Sequence, residues 1–472
     1  MKPESAPSNG WETTSVRSQW LNQHDAGRLI SFSLPCPEVD FAAILAAAAG
    51  SSRFLWRDPD GVTLAGFGTA TNLIAYGSER VSQIQAQAQQ LFASARLLAD
   101  TPALAAPRLF GGFAFRPDFV PDNIWTAFGP AHFVLPHYQY LEQGAERWLT
   151  INAFIAPDDD PAAILPQLRE ALSARIEQLA GLDGAATGAA AAVAEVNYPL
   201  TMAAWEEIIA TTTDRMRTTE LEKVVLSRVC ELRFHDDIPI PAVLAHLDAR
   251  YPDCYRFLFE PRPYHAFLGA TPELLVRVDG AALRTMGLAG SIGRGADEAS
   301  DVALGQALLD SAKDRFEHDV VVQMLRQRLT PVTTELSVPE TPILLKLGNI
   351  QHLYTPVSGR LKEPAGVLPL VDLLHPTPAL GGVPRELAME LIAATEPVPR
   401  GWYAAPIGWL DYRGDGQFGV AIRSAVCQRR RAWLYAGGGI VAQSEADKEW
   451  AEAALKFRPM LAALGAQEVV NG

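Results

Sequence analysis

Strand-like segments follow one another in groups, with helical segments between the groups, and this order constrains the fold more than any other feature of the chain. After residue 200, KVVLSRVCELRF (223–234), YRFLFEP (255–261), HAFLGAT (265–271) and LLVRVDG (274–280) read as successive strands. GWLDYR (408–413), QFGVAIRSAVCQR (417–429) and AWLYAGGGIV (432–441) make a second group. Before residue 200, LFGGFAF (109–115) reads as a buried strand with a close backbone approach at its glycines. Residues 132–156 read as two strands joined by a turn near Gly144. Helical spacing marks 82–99, 162–179 and 200–218, then one long helix over 301–329, then a last helix from about 446 to 464. Leu308, Ala312, Phe316, Val320 and Met324 mark the buried stripe of the long helix. Strict alternation of strand and helix is absent, so the pattern predicts an α+β fold with large antiparallel sheets rather than a doubly wound parallel sheet.

The 472 residues divide at GLDGAATGAAAAVA (181–194), which is almost all Gly and Ala. It reads as a surface connector, with a short Ala-rich helix as the alternative. The expected organisation is a flexible tail at 1–20, an N-terminal part over 21–180, the connector, and a C-terminal catalytic region over 195–466. No basic start followed by an apolar run marks a signal peptide, and no run of 18 apolar residues spans a membrane.

Charge and cysteines narrow the function classes. A net charge of −14 argues against a general nucleic-acid binder and requires a local cationic pocket for any anionic substrate. Cys36, Cys230, Cys254 and Cys427 form no CxxC pair and no zinc spacing, and read as reduced thiols of a cytoplasmic protein. There is no GxGxxG after a strand, no GxxxxGK[ST], no HExxH and no GxSxG. Two glycine clusters remain, LAGSIGRG (288–295) and AGGGIV (436–441). Turns and bulges account for most such clusters; bare backbone N–H groups aimed at an anionic oxygen are the functional reading.

Two acidic pairs stand out. Asp314 and Glu317 lie three apart in KDRFEH, and Glu449 and Glu452 three apart in EADKEWAE. Each pair shares one side of its helix. Together they offer oxygen-only ligands for one Mg²⁺, although solvated helix faces carry the same spacing. Lys223 opens an apolar strand, where a partly buried lysine serves as a base; an exposed strand end is the plainer reading. Glu273 lies between two apolar runs in FLGATPELLVRV. A buried carboxyl there is a general acid, and an edge residue facing water is the alternative.

In register, KVVLSR, FLGATPELLVR, LAGSIGRG, LLDSAKDRFEHDVVV, QHLYTPVSG, HPTPALGGVPR, GWYAAPIGWLD, AIRSA and AGGGIV..SEADKEW resemble the chorismate-utilising enzymes. That family includes anthranilate, aminodeoxychorismate, isochorismate and salicylate synthases. The resemblance is strong over 200–464 and looser before it, where LFGGFAF is the clearest match. It implies one large α+β unit of antiparallel sheets packed as a sandwich with helices outside, binding chorismate with Mg²⁺. Carried over by position, Glu317 and Glu452 are the direct metal ligands, and Asp314 and Glu449 their partners. The family often has Glu where Asp314 stands, which makes a direct bond from the shorter side chain less favourable. Arg423, Lys456 and the backbone of Gly438 and Gly439 match positions that bind the substrate carboxylates. Gly290 and Ser291 match the loop beneath the ring, and His352 an active-site histidine packed near it. Lys223 matches the water-activating base, where anthranilate synthases carry an amide. HPTPAL (375–380), which brings Ala379 and Leu380 to the substrate, looks like the isochorismate-forming version of its loop. The implied reaction is water attack at C2 of chorismate with loss of the C4 hydroxyl, in a cytoplasmic monomer whose product feeds menaquinone or siderophore and salicylate synthesis. A separate isochorismate–pyruvate lyase is the expected downstream partner; no nucleic acid or membrane is expected. A salicylate synthase, which goes on to eliminate pyruvate, is the nearest rival, and a silent chorismate-binding relative a more distant one.

Overall fold

The computed structural model describes residues 27–98, 101–182 and 191–467. Two antiparallel sheets diverge from one long pairing, Val62–Ala75 against Ala131–Gln143. One sheet continues from Ala131–Gln143 through Arg108–Phe113, Pro406–Asp411, Gly416–Val420, Leu274–Asp279 and Ala282–Gly293 to Ile350–Leu361. The other runs from Val62–Ala75 through Arg53–Arg57, Tyr255–Arg262, His265–Thr271, Ser424–Gln428 and Arg431–Ile440 to Lys223–Phe234. Strands from early and late in the chain are neighbours in both sheets, at Arg53–Arg57 beside Tyr255–Arg262 and at Arg108–Phe113 beside Pro406–Asp411.

The strands are apolar on both faces because both faces are covered. Phe257, Phe259 and Phe267 turn into one core with Trp125, Phe128 and Trp402. Leu258, Ala266 and Leu268 turn to the opposite side, into a second core shared with the helices Ile240–Arg250 and Ala446–Ala463. The large buried rings find partners for their polar atoms, as burial requires. Trp125 Nε1 donates to Tyr435 Oη at 2.9 Å, and Trp402 Nε1 to the Gly129 carbonyl at 2.8 Å. All four cysteines are buried and free. Among the described residues no helix is long and apolar enough to cross a membrane.

The antiparallel α+β architecture is as expected, and the turn near Gly144 is present, at φ 59°. Several elements differ. The helix expected over 82–99 is Arg80–Ala93, and Arg96–Leu98 is a short strand pairing parallel to Arg28–Pro35. The single helix expected over 301–329 is two, Glu298–Asp310 and Ala312–Leu329. Ser311 adopts an extended conformation between them and caps the second, its hydroxyl accepting from the Asp314 N–H. The new helix start shifts the stripe: Leu308 and Met324 are buried as expected and Val320 is half-buried, but Ala312 and Phe316 are exposed, and His318, Val321, Val322, Leu325 and Leu329 are buried instead. The strand expected over 417–429 is also two, Gly416–Val420 and Ser424–Gln428, interrupted where Arg423 takes φ 51°. The tail at 1–20 and most of the segment 181–194 lie outside the described residues; Val193 and Ala194 begin a strand, Val193–Asn197, along Lys223–Phe234.

Candidate active site

Lys223 is the first residue of its strand, and the neighbouring segment Gly382–Val383 pairs with it there. That pairing, with the Val225 N–H bonded to the Gly381 carbonyl, lays the 375–383 loop against the lysine. Contrary to the exposed-strand-end alternative, Lys223 is 0 % exposed. Its Nζ lies 2.9 Å from Glu317 Oε1, a close ion pair without hydrogen-bond alignment, so Nζ has no hydrogen-bond partner. Glu317 comes from the helix Ala312–Leu329, which packs on the strand Ala282–Gly293.

A partly open cavity adjoins this pair. Glu317, Glu452, Lys456, Arg423, Glu273 and His352 line it with their side chains or backbone. Gly290, Ser291, Ala379, Leu380, Gly438 and Gly439 complete the expected lining. Lys223, Asp314 and Glu449 stand behind the wall rather than in it. Glu273 is buried, and burial pushes its carboxyl up to about 8 against the pull of Lys223 and Lys456. The water-facing edge alternative for Glu273 therefore fails. His352 is pressed down to about 3 by burial, then by Arg423 and Lys456, and its Nε2 has no partner. It is a neutral ring at neutral pH. Lys456 Nζ donates to the Gly437 carbonyl at 2.8 Å and pairs with Glu452 Oε1 at 2.8 Å.

Two glycines are required by close approach. A Cβ on Gly439 would stand 2.6 Å from Glu317 Oε1 and 2.9 Å from Lys223 Cε. Gly290 takes φ 74°, and a Cβ there would stand 3.1 Å from the Asp314 Cβ. The glycine clusters are thus sites of tight contact with acidic side chains.

The acidic residues converge but do not form a ready-made cage: among the described residues no three carboxylate, imidazole or thiol groups are placed to hold a metal ion. Each carboxylate already has a partner. Glu317 has Lys223, Glu452 has Lys456, Glu449 has Lys313 at 3.1 Å, and Asp314 accepts from the Ser311 hydroxyl. Glu449 Oε2 is buried without a partner, and a Cβ on Gly438 would lie 3.2 Å from it. An orphaned carboxylate oxygen with the Glu452 carboxylate nearby fits an oxygen-preferring divalent cation.

Sequence reasoning missed several lining residues, among them Val225, Arg400, Tyr403 and Tyr435. Arg400 is buried and forks onto Glu396, while also donating to the Leu380 and Val225 carbonyls at 2.8 and 2.7 Å. It thereby ties the 375–383 loop to the Lys223 strand. Its position directly before GWYAAPIGWLD was the available signal. Tyr403 and Tyr435 stack with centroids 5.1 Å apart.

Two antiparallel sheets with cations, carboxylates and bare glycine backbone around one cavity define an enzyme for a small anionic substrate. The chain belongs to the chorismate-binding enzyme family, whose model, described as "Chorismate binding enzyme", matches residues 15–465. It is 35% identical to the isochorismate synthase MenF of Bacillus subtilis over 452 residues, covering 93% of this chain and 94% of the relative. It is 38% identical to the salicylate biosynthesis isochorismate synthase of Pseudomonas aeruginosa, covering 87% and 84%. Among solved structures it is similar to MenF, the menaquinone-specific isochorismate synthase of Escherichia coli, with a TM-score of 0.77, 26% identity, and coverage of 93% and 96%. Anthranilate synthase component I from Streptococcus pneumoniae shares the fold, with a TM-score of 0.68 at 19% identity and 95% coverage of both chains.

Proposed function

We propose that this protein is an isochorismate synthase, converting chorismate to isochorismate by adding water at C2 and expelling the C4 hydroxyl. The observation that carries the reading is the burial of two titratable groups on either side of one wall: Glu273 lines the cavity and is raised to about 8, and Lys223 stands directly behind the lining, paired with the lining residue Glu317. Lys223 acts from its neutral amine form: Nζ takes a proton from the attacking water, and the ammonium so formed is the cation that Glu317 balances. Glu273 gives its proton to the departing hydroxyl as the ring double bonds shift, so one water enters and one leaves. Arg423, Lys456 and the backbone of Gly438 and Gly439 hold the carboxylates. Gly290 and Ser291 lie beneath the ring, His352 packs beside it, and Ala379 and Leu380 close one side. Positioning and the acid–base pair carry the rate, each proton-transfer group contributing roughly 10²–10⁴-fold.

Glu317 and Glu452 are the residues that would hold Mg²⁺ directly, with Asp314 and Glu449 as their partners; the orphaned Glu449 Oε2 supports an oxygen-only site here. When bound, Mg²⁺ supplies a fixed positive charge for the ring carboxylate. The division of the chain follows the chemistry: 195–466 is the catalytic region and 21–180 its supporting part. Four free buried thiols suit the cytoplasm, and the protein acts as a monomer. The product leaves intact, so any pyruvate elimination falls to a separate lyase.

The test is purified protein with chorismate and Mg²⁺, the products resolved by chromatography. Isochorismate is expected. Anthranilate formed with ammonia, or salicylate formed without an added lyase, overturns the reading.

A further inference from the structure

Three lysines face the carboxylate cluster, and they are not equivalent. The Lys223 side chain is 0 % exposed and that of Lys456 18 %, but that of Lys313 is 44 % exposed while its partner Glu449 is 2 % exposed. Lys456 lines the cavity and is also tied to the Gly437 carbonyl. Lys313 does not line this cavity. It sits in the first turn of the helix Ala312–Leu329, one residue before Asp314 and four before Glu317.

The Lys313 ammonium sits 3.1 Å from Glu449 Oε1, and Glu452 and Glu317 are near enough to attract it as well. The three carboxylates therefore act on one ammonium on the solvent side of the cluster. Glu449 is poised to lose that partner without losing its place. Its Oε1 also takes the Ser444 hydroxyl at 2.7 Å, and its Oε2 is already free.

We propose that Lys313 is a displaceable internal counter-ion of the divalent-cation site: its ammonium neutralises the carboxylates while the site is metal-free, and it moves into water when the cation enters. This rests on the Mg²⁺ reading given above. Of the three lysines only Lys313 can leave cheaply, because a flexible, strongly hydrated ammonium returns to water from a half-exposed position, whereas releasing Lys223 would strand a buried charge. Two consequences follow. The fold does not need metal to silence the repulsion among Asp314, Glu317, Glu449 and Glu452. Metal affinity is set below what the same carboxylates would give alone, since the entering cation must displace a charge already present.

The experiment uses the full chain as wild type and as Lys313→Met, Lys313→Arg and Glu452→Gln, without substrate. Mn²⁺ is titrated in and the free ion read by electron paramagnetic resonance; thermal unfolding is followed in chelator and in saturating Mn²⁺. Lys313→Met should bind Mn²⁺ about tenfold more tightly, the scale of one unit charge removed a few ångströms from the ion in a partly screened site. Its unfolding temperature should fall in chelator and recover in Mn²⁺. Lys313→Arg, which keeps the charge, should stay near wild type in both. Unchanged or weaker Mn²⁺ binding by Lys313→Met, beside a clear loss in Glu452→Gln, overturns the counter-ion alone. Wild type and Glu452→Gln binding Mn²⁺ equally overturns the metal site and the counter-ion with it.

Discussion

Lys223 and Glu317 meet at 2.9 Å across two elements that start far apart in the chain, the first residue of a strand and the first turns of a helix. The lysine side chain is 0 % exposed and the glutamate 18 %. A pair of this kind serves structure or chemistry, and a charge-conserving change separates the two. Lys223→Arg retains a cation for Glu317 but cannot give up a proton at working pH. Isochorismate formation should fall by about 10²–10⁴-fold in Lys223→Arg and in Lys223→Gln alike. Activity surviving in the arginine variant would mean that the lysine only balances charge.

Glu273 carries a stability consequence with a definite sign. Its carboxyl is raised from 4.5 to about 8 in the folded protein. Below about 4.5 it is protonated folded or unfolded and contributes nothing to pH dependence. Between about 4.5 and 8 the unfolded chain ionises first, so the unfolded state binds fewer protons and stability falls as pH rises. Glu273→Gln removes that loss. The variant should be more stable than wild type at pH 8, by an amount on the order of a few kcal/mol at most, while turnover drops by about 10²–10⁴-fold. Thermal unfolding at pH 5 and pH 8 beside the chromatographic assay reads both. The wild-type rate should also decline above pH 8 as the acid is lost, and a Glu273→Gln protein less stable than wild type at pH 8 would mark the carboxyl as structural.

Arg423 is held at φ 51° in a break between two strands, buried and facing the cavity. Arginine gains nothing from a left-handed backbone, and the strained conformation costs on the order of 1 kcal/mol. The substrate-binding role proposed for Arg423 would offset that cost. Arg423→Gly removes the guanidinium and relieves the backbone together. KM for chorismate should rise by about 10–100-fold, the worth of a charge-assisted contact, without a lower unfolding temperature. A lower unfolding temperature at unchanged KM would show that the side chain packs rather than binds.

Arg423 also shows where the sequence stops being legible. The strands Lys223–Phe234 and His265–Thr271 were readable to the residue, because turn signals bound continuous apolar runs. QFGVAIRSAVCQR is equally apolar on either side of its arginine, so nothing local marks a break; the requirement comes from the cavity. The split at Ser311 was legible in principle. SAKD places an N-capping serine three residues before an acid, but the apolar spacing ran through it and suggested one helix. The missed cap also misplaced Phe316, since a helix restarted at Ser311 presents a different face. The acidic pairs were visible as spacing, and Lys456, four residues after Glu452 on the same helix, was legible as its partner; Lys223 and Lys313 were not, because they reach Glu317 and Glu449 from other elements. Arg400 was missed although Glu396 lies only four residues before it, because its partners at Val225 and Leu380 are gathered only by folding.

Gly439 offers the sharpest geometric test, because it faces the Lys223–Glu317 pair itself. A methyl group there would overlap Glu317 Oε1 at 2.6 Å and crowd Lys223 Cε at 2.9 Å. Backbone retreat is resisted, since Gly439 is registered opposite Val225 in the antiparallel pairing of Arg431–Ile440 with Lys223–Phe234. The side chains must give way instead, and Lys223 is enclosed. Gly439→Ala should therefore fold and lose turnover by about 10²-fold or more, the effect of displacing a catalytic group by about 1 Å. Gly438→Ala is the comparison on the same strand. Its methyl would meet only Glu449 Oε2 at 3.2 Å, a contact relieved by a few tenths of an ångström; because its backbone is placed at the substrate carboxylates, KM should rise, while turnover at saturating chorismate should stay within about tenfold of wild type. Steady-state kinetics on the two variants, with unfolding temperatures to establish that both fold, makes the comparison. Equal loss in both would assign the defect to the strand backbone rather than to the pair, and no loss in Gly439→Ala would remove Lys223 and Glu317 from the reacting geometry.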